Sequence, residues 1–306
     1  MLRPRKLSLG TRIINQRQLL IMLIPGMVMA ILFRYLPLYG ITIAFRDFHP
    51  MRGLFGSEWV GLKYFEIMFS NADFFRIIRN TVVLNLLQLI FAFPAPILLA
   101  IMINEVSRPG VKRAYQSITY LPHFISWVVV GAMVIDFLSP RFGPVNLLIK
   151  SLGGEAVPFL LREEFFRPIL VLSGIWKEAG YASIVFLASI MAISPDLYES
   201  AHIDGAGILR RVWYITLPGI RGTIAVLLII RMANFLQVSF EQVWVLLSSA
   251  VYEVGDVIAT YVYRVGIAGA QFSRVGAIDF FNSIVGLVLV LITNALAKRF
   301  LGRGLW

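Results

Sequence analysis

The sequence predicts an all-α polytopic membrane protein, a single domain over residues 1–306 that crosses a membrane six times. Hydrophobic residues make up 58% of the 306 residues. The mean hydropathy of +0.78 is higher than that of a soluble domain of this length. The apolar residues fall into six stretches that are long enough for membrane-spanning helices. These predicted spans are 19–45, 77–103, 114–138, 168–193, 220–247 and 280–297.

The distribution of charge predicts the orientation of the spans. Residues 1–17 contain five basic residues and no acidic residue, and residues 298–306 contain three basic residues and no acidic residue. Lys and Arg concentrate in the cytoplasmic segments of membrane proteins. We therefore expect both termini in the cytoplasm, with the chain in the cytoplasmic (inner) membrane. Because much of the net charge of +11 lies beside apolar spans, it indicates contact with membrane lipid and not with nucleic acid.

The residue inventory argues against several kinds of chemistry. The chain has no cysteine, which excludes disulfides and thiolate sites. Its histidines, His49, His123 and His202, lack metal-ligand spacing, so no metal site is predicted. No G-x-x-x-x-G-K-[ST] sequence occurs, so ATP would have to bind to another chain. No nucleophile lies beside a base with an orienting acid, and we expect neither a catalytic residue nor enzymatic activity.

A polar segment, residues 194–218, separates the fourth and fifth spans. Ser194 is a favourable N-cap, and Pro195 suits the first helical position because it lacks the N–H that would be unpaired there. Gly205 permits a sharp bend, and Pro218 is expected to end a second short helix after that bend. The segment is therefore predicted to form two short helices joined by a bend, a shape that can enter a groove on another protein.

The spacing within this segment resembles the cytoplasmic EAA loop of ABC importer permeases, in its sugar-importer variant. Glu199-Ser200-Ala201 is followed after three residues by Gly205, and after nine more by Ile215-Thr216-Leu217-Pro218. The closing Gly302-Arg303-Gly304-Leu305-Trp306 resembles the polysaccharide-type subfamily. The resemblance implies that the loop is a coupling helix that docks on an ATPase. The coupling residues that it implies are Glu199, Ser200, Ala201, Asp204, Gly205, Ala206, Ile215, Leu217 and Pro218.

The same resemblance implies a set of partners. A permease of this family pairs with a second permease subunit, two ATPase subunits and an external substrate-binding protein. ATP and Mg²⁺ would bind to the ATPases, so this chain is expected to hold no cofactor. The spans would alternate between inward-facing and outward-facing states as the ATPases close and open.

Polar residues inside the spans are candidates for a substrate passage. Arg231, Asn234, Gln237 and Glu241 are spaced three, three and four residues apart, which places them on one helical stripe of the fifth span. Further passage candidates are Asn282 on the sixth span and Asn85 and Gln88 on the second. Amide and carboxylate groups can bind sugar hydroxyls. Alternatively, these residues hold helices together, at about 0.6 kcal/mol per hydrogen bond.

Two other functions remain open from the sequence. A secondary transporter driven by an ion gradient would use Lys177, Glu178, Arg231 and Glu241 as relay groups, whereas a non-transporting scaffold would use its polar residues only for packing. Within the importer interpretation, the substrate is an oligosaccharide. External arginines such as Arg52 and Arg264 favour uronate oligosaccharides, for example alginate or pectin fragments, but nearby acids nearly match them, so a neutral sugar is also open.

Overall fold

A computed structural model describes residues 16–301, and the chain in this range is largely helical. The prediction of an all-α fold is confirmed. Besides helices, the described residues contain one small antiparallel hairpin, which pairs Arg46–Asp47 with Glu58–Trp59. The basic residues before position 16 and the family-like residues 302–306 lie outside the described residues.

Twelve helices, numbered in chain order, organise the described part of the chain. They are α1 Arg17–Phe45, α2 Lys63–Phe69, α3 Ala72–Asn104, α4 Pro109–Phe124, α5 Trp127–Phe137, α6 Pro144–Ser151, α7 Glu163–Met191, α8 Pro195–Ile203, α9 Ile208–Ala233, α10 Phe240–Leu246, α11 258–268 and α12 Phe272–Leu301. Shorter helical turns lie at Gly53–Gly56, Phe159–Leu161, Ser249–Val251 and Tyr252–Gly255. Within residues 16–301, helices α1, α3, α7, α9 and α12 are each long and apolar enough to cross a membrane, and the bent pair α4–α5 is the sixth crossing if it spans as one unit.

Prolines lie inside several of these helices without ending them. In α1, α3 and α9 a wider π-helical turn ends two residues before a proline; the turns are Ile31–Tyr35, Gln88–Ala92 and Val212–Thr216, and the prolines are Pro37, Pro94 and Pro218. In a regular helix the proline ring clashes with the carbonyl four residues earlier. A π turn shifts the hydrogen bonding by one residue, which gives the ring room. The prediction that Pro218 ends a short helix is therefore wrong, because α9 continues through it.

Helix α7 lies at the centre of the fold and packs against α3, α4, α9 and α10. At the end that carries the 194–218 loop, one buried apolar cluster joins Ile103 of α3, Phe186 of α7 and Ile220 of α9. Toward the opposite end, a second cluster joins Phe166 of α7 to Val243 of α10. These two clusters fix the helices whose middle portions enclose the candidate site.

Most of α1 stands apart from this body. No residue of Arg17–Tyr35 is buried, and only the last part of the helix packs against α12. Its apolar side chains, such as Phe33, face outward, as the hydrocarbon core of a bilayer requires.

The third predicted span, 114–138, is not a single helix. Its two halves, α4 and α5, meet at an angle of 100°. Ile125 is extended at the break, and Ser126 begins α5 by accepting a hydrogen bond from the Val129 amide. A serine side chain that caps the start of a new helix favours that start over continuation of the preceding helix. The apolar composition of the segment therefore predicted its burial in lipid but not its bend.

The fifth predicted span, 220–247, is also interrupted. Helix α9 ends at Ala233, residues 234–239 are not helical, and α10 starts at Phe240. Ser239 caps α10 by accepting a hydrogen bond from the Gln242 amide. The single helical stripe predicted through Asn234, Gln237 and Glu241 is consequently wrong, because the chain is not helical between α9 and α10.

Candidate functional site

A cavity of about 580 Å³ lies between α3, α5, α7, α9 and α10, beside the middle of α3 and α7 and the end of α9. Its polar lining comes from Gln88, Glu178, Arg231, Asn234, Ser239 and Gln242. Apolar and aromatic groups, including Phe93 and Trp127, complete the wall. Polar groups are costly inside a membrane unless they meet water, ligand or each other. This arrangement can therefore accommodate a polar solute at the depth of the membrane.

Arg231 connects α9 to α3 beside this cavity. Its Nη2 atom donates to Gln88 Oε1, and it lies 3.4 Å from Asn85 Oδ1. Asn85 is fully buried and donates its own amide hydrogen to the Thr81 carbonyl at 2.9 Å. The structure thus brings together two predicted passage residues, Asn85 and Gln88, around a guanidinium group, although only Gln88 reaches the cavity wall.

The sequence analysis missed two polar residues of this lining, Ser239 and Gln242. Gln242 is buried, and its Nε2 atom donates to the Leu170 carbonyl at 2.6 Å and to Ser173 Oγ at 3.3 Å. Gly174 makes this approach possible, because a Cβ there would lie 3.3 Å from the same nitrogen. Ser239 and Gln242 form an S-x-x-Q pattern, which is typical of a helix start and could have revealed the new helix.

The remaining passage candidates do not share one surface. Asn234 lines the central cavity at the end of α9. Gln237 and Asn282 instead line a second cavity of about 660 Å³ between the end of α9, α11 and α12. Asn282 Oδ1 is buried there without a hydrogen-bond partner among residues 16–301. Glu241 is exposed and lines neither cavity.

Lys177 and Glu178 form a compact network at the bend between α4 and α5. Lys177 is buried and donates to the His123 carbonyl at 2.7 Å, at the end of α4. Its Nζ atom also lies 3.1 Å from Glu178 Oε1, and His123 Nδ1 lies 2.7 Å from Glu178 Oε2. The His123 ring stacks on Tyr181 with their centroids 3.9 Å apart. These contacts satisfy the buried ammonium and hold the bent helix against α7.

A second polar cluster surrounds Asp256, at the end of the bundle opposite the 194–218 loop. The Asp256 carboxylate is fully buried and pairs with the Arg264 guanidinium. Thr260 donates to it at 2.8 Å, and Arg76 Nη2 lies 4.0 Å away. Asn80 donates to the Asp256 carbonyl at 3.1 Å, which ties α3 to this loop. The cluster is a structural clamp between segments far apart in sequence.

The 194–218 loop forms a hydrogen-bonded bend at the end of the bundle. Helix α8 ends in a Schellman motif, in which the Ala206 amide donates to the Ala201 carbonyl at 2.8 Å and the Gly205 amide donates to the His202 carbonyl at 3.0 Å. Gly205 has a φ of +72°, which glycine adopts without strain. The predicted bend at Gly205 is therefore present.

Two contacts attach this loop to the spans. The hydroxyl groups of Tyr198 and Thr216 lie 3.0 Å apart, and Arg211 pairs with Glu105 at 3.3 Å. The outer surface carries exposed apolar groups, notably Ile203, which is 85% exposed, and Leu209, which is 75% exposed.

The predicted coupling residues divide into two groups along this loop. Glu199, Ser200, Asp204, Gly205 and Pro218 are exposed, and Ala201, Ala206, Ile215 and Leu217 are partly buried. The exposed set is accessible from outside the chain, and Leu217 of the partly buried set packs against the buried cluster of Ile103, Phe186 and Ile220.

Comparison with known proteins places this architecture in a family. Residues 19–303 match the model of the "Binding-protein-dependent transport system inner membrane component" family. The chain is 44% identical over 304 residues to the Polygalacturonan/rhamnogalacturonan transport system permease protein YteP of Bacillus subtilis (strain 168), covering 99% of this chain and 95% of YteP. It is 46% identical over 292 residues to Protein LplB of the same organism, covering 95% of this chain and 92% of LplB.

Solved structures agree with these relatives. A chain of a bacterial ABC transporter involved in the import of the acidic polysaccharide alginate matches with a TM-score of 0.88 and 45% identity, covering 95% of this chain and 99% of that chain. A chain of the bacterial alginate ABC transporter, in complex with a periplasmic protein that holds an alginate pentasaccharide, matches with a TM-score of 0.89 and 44% identity, covering 97% of this chain and 99% of that chain. This chain therefore belongs to the binding-protein-dependent transport system inner membrane components, the permeases of ABC importers.

Proposed function

We propose that this chain is the permease subunit of an ATP-driven importer that carries oligosaccharides of the uronate type across the cytoplasmic membrane. The proposal rests on the central cavity, because its carboxylate, amide, hydroxyl and guanidinium groups lie among apolar membrane-spanning helices. Sugar hydroxyls can donate and accept hydrogen bonds with such groups. Trp127 and Phe93 add aromatic surface, which suits the apolar faces of sugar rings.

The relatives support the uronate type of substrate. YteP is named for polygalacturonan and rhamnogalacturonan, and the matched structures are of an importer of alginate. Polygalacturonan and alginate both carry a carboxylate on their sugar units. Fragments of such acidic polymers are accordingly the first substrates to test with this chain.

The 194–218 loop is the proposed mechanical link to the ATPases. Its exposed residues Glu199 and Gly205 and the apolar Ile203 form the surface that would enter a groove on an ATPase subunit. The contacts of Tyr198 and Arg211 with the spans would transmit the movement of that groove to α9 and α3. ATP and Mg²⁺ belong to the partner subunits in this proposal, and this chain contributes no catalytic residue.

The complete transporter would contain a second permease, two ATPase subunits and an external substrate-binding protein. The matched alginate importer in complex with its sugar-bound periplasmic protein supports the last of these partners. Both termini, residues 105–113 and the 194–218 loop would face the cytoplasm. A His202→Cys variant tests this orientation cleanly, because the chain has no native cysteine. An impermeant thiol reagent should label it only in permeabilised cells, and labelling in intact cells would refute the orientation.

Reconstitution of the whole complex tests the transport function. Proteoliposomes that contain the complex and its binding protein should accumulate radiolabelled trigalacturonate when ATP is supplied to the ATPase side, and accumulation should persist when ionophores collapse the proton and sodium gradients. Loss of uptake with the ionophores would favour the secondary-transporter alternative. Absence of ATP-dependent uptake of any oligosaccharide would favour the scaffold alternative.

A further inference from the structure

Arg231 is a cation inside the membrane-spanning body, and it pairs with no acidic residue in the described part of the chain. Among residues 16–301, no carboxylate lies within 4.0 Å of its guanidinium nitrogens. The groups that contact it, Gln88 Oε1 and Asn85 Oδ1, are neutral amide oxygens. Charged groups at this depth are normally paired or placed in water, so the unpaired charge requires an explanation.

The guanidinium retains donors that no described residue uses. Both hydrogen bonds use Nη2, and neither Nη1 nor Nε bonds to a described residue. These two nitrogens are not among the buried unpaired atoms of the described chain, so they reach open space, and Arg231 lines the central cavity. The amides of Gln88 and Asn85 therefore orient the planar group without neutralising it.

The other charge on the cavity wall is already compensated. Glu178 pairs with Lys177 at 3.1 Å and with His123 at 2.7 Å. Arg231 consequently leaves the lining with an unbalanced positive charge. A guanidinium with free N–H groups in a partly dehydrated site is suited to a planar carboxylate, which it can bind through two parallel hydrogen bonds.

We propose that Arg231 is the residue of the passage that selects anionic sugars, by pairing with one carboxylate of a uronate oligosaccharide in the central cavity. This inference rests on the proposed function and adds the group that would distinguish an acidic sugar from a neutral sugar of the same size. A purely structural role is the alternative, because the same side chain links α9 to α3. The two roles predict different ratios of acidic to neutral sugar uptake. A structural loss slows all substrates equally, whereas loss of the carboxylate partner changes the ratio between acidic and neutral sugars.

The test compares trigalacturonate with its fully methyl-esterified form, which has the same sugar backbone without the charges. Initial ATP-dependent uptake by the reconstituted complex is measured at concentrations that saturate the binding protein with each sugar, so that the binding protein's own preference does not enter the ratio. Arg231→Gln should lower the ratio of acid to ester uptake by about 10-fold or more, as expected for the loss of a charge-assisted hydrogen bond. Arg231→Lys should retain most of the ratio because it keeps the charge.

Two further variants separate the selective role from the structural one. Arg221→Gln removes an exposed guanidinium from the same helix, away from the cavity, and should leave the ratio at the wild-type value. Gln88→Glu keeps Arg231 but places a carboxylate beside it, which should lower the ratio even if Arg231→Gln does not assemble. A wild-type ratio in Arg231→Gln or in Gln88→Glu would overturn the role of Arg231 while leaving the importer function intact. Failure of the wild-type complex to take up either sugar would refute the proposed function and this inference with it.

Discussion

Replacement of Gly205 by serine should weaken the attachment of the ATPase without unfolding the spans. The reason is the backbone, since Gly205 has a φ of +72° at the bend after α8. Steric crowding inside this chain does not add to the cost of the substitution, because a Cβ at Gly205 would meet no atom within 4 Å. The cost of the substitution therefore comes almost entirely from the left-handed conformation.

That conformation costs an L-residue roughly 1–2 kcal/mol relative to glycine. In the free permease the exposed loop can relax into another conformation, whereas docking in a groove requires the bend. We therefore expect the dissociation constant for the ATPase to rise by a factor of about 5 to 30. Gly205→Asn should show a smaller effect, because asparagine enters the left-handed region more readily than other non-glycine residues.

Gly207 provides a matched control two residues away. A Cβ at Gly207 would also meet no atom within 4 Å, but the φ of −66° and ψ of 168° at this position are accessible to any residue. Gly207 is the N-cap of α9, where serine is a favourable residue. Gly207→Ser should accordingly leave the dissociation constant unchanged.

The assay measures binding of the purified ATPase to permease in nanodiscs, together with substrate-stimulated ATP hydrolysis by the assembled transporter. ATPase affinity and stimulated hydrolysis should both fall for Gly205→Ser, partly recover for Gly205→Asn, and stay at the wild-type level for Gly207→Ser. Equal losses for Gly205→Ser and Gly207→Ser would refute the backbone argument. Wild-type binding by Gly205→Ser would show that this loop is not the attachment point.

Three further predictions follow from named contacts. Gln242→Ala should reduce uptake in the reconstituted assay, because it removes a buried side chain from the cavity wall. Glu241→Ala should leave uptake unchanged, because Glu241 is exposed and lines no cavity wall; the reverse result would contradict the observed path of the chain. Asp256→Asn breaks a buried ion pair and should lower stability by about 3 kcal/mol, seen as a lower melting temperature of the purified complex. Tyr64 donates to Asp47 at 2.6 Å, and this hydrogen bond is the largest cause that lowers the pKa of Asp47. The Asp47 contact stabilises the fold above the usual carboxyl pKa and is lost as pH falls through the lowered value. The 46–59 hairpin of the wild type should therefore keep its amide protection to a lower pH than that of Tyr64→Phe, as measured by hydrogen exchange.

The preferences of single residues were sufficient to predict most of the 194–218 loop. Pro195 and Gly205 act through their own backbone, by beginning or turning a helix, and the structure has the helix and the bend at these residues. Ser194 occupies the N-cap position of α8, but its hydroxyl donates to Asp196 Oδ2 at 3.2 Å and makes no cap hydrogen bond. The exception was Pro218, whose local preference to stop a helix was overcome by the π turn before it. The packing of Ile220 in the core at the loop end favours a continuous α9. That contact with distant helices is not visible in the sequence near Pro218.

The residues around the central cavity could be predicted only in part. Asn85, Gln88, Arg231 and Asn234 do meet at or beside one cavity, as their polarity within apolar spans indicated. Gln237 and Glu241 do not, because the periodicity argument assumed a helix that in fact ends at Ala233. After the non-helical residues 234–239, a new helix places Gln242, and not Glu241, in the cavity wall.

The sequence by itself determined the all-α membrane class, because that class depends on the transfer of apolar segments into lipid. It also determined the bend of the 194–218 loop, because that bend depends on the backbone preference of a single glycine. The tertiary structure decided the breaks in the third and fifth spans, the partners of Lys177 and Asp256, and the exposure of the Arg231 charge to the central cavity. These features join residues far apart along the chain, such as Arg231 and Gln88. Their energies arise from contacts between helices, which exist only once the helices have packed.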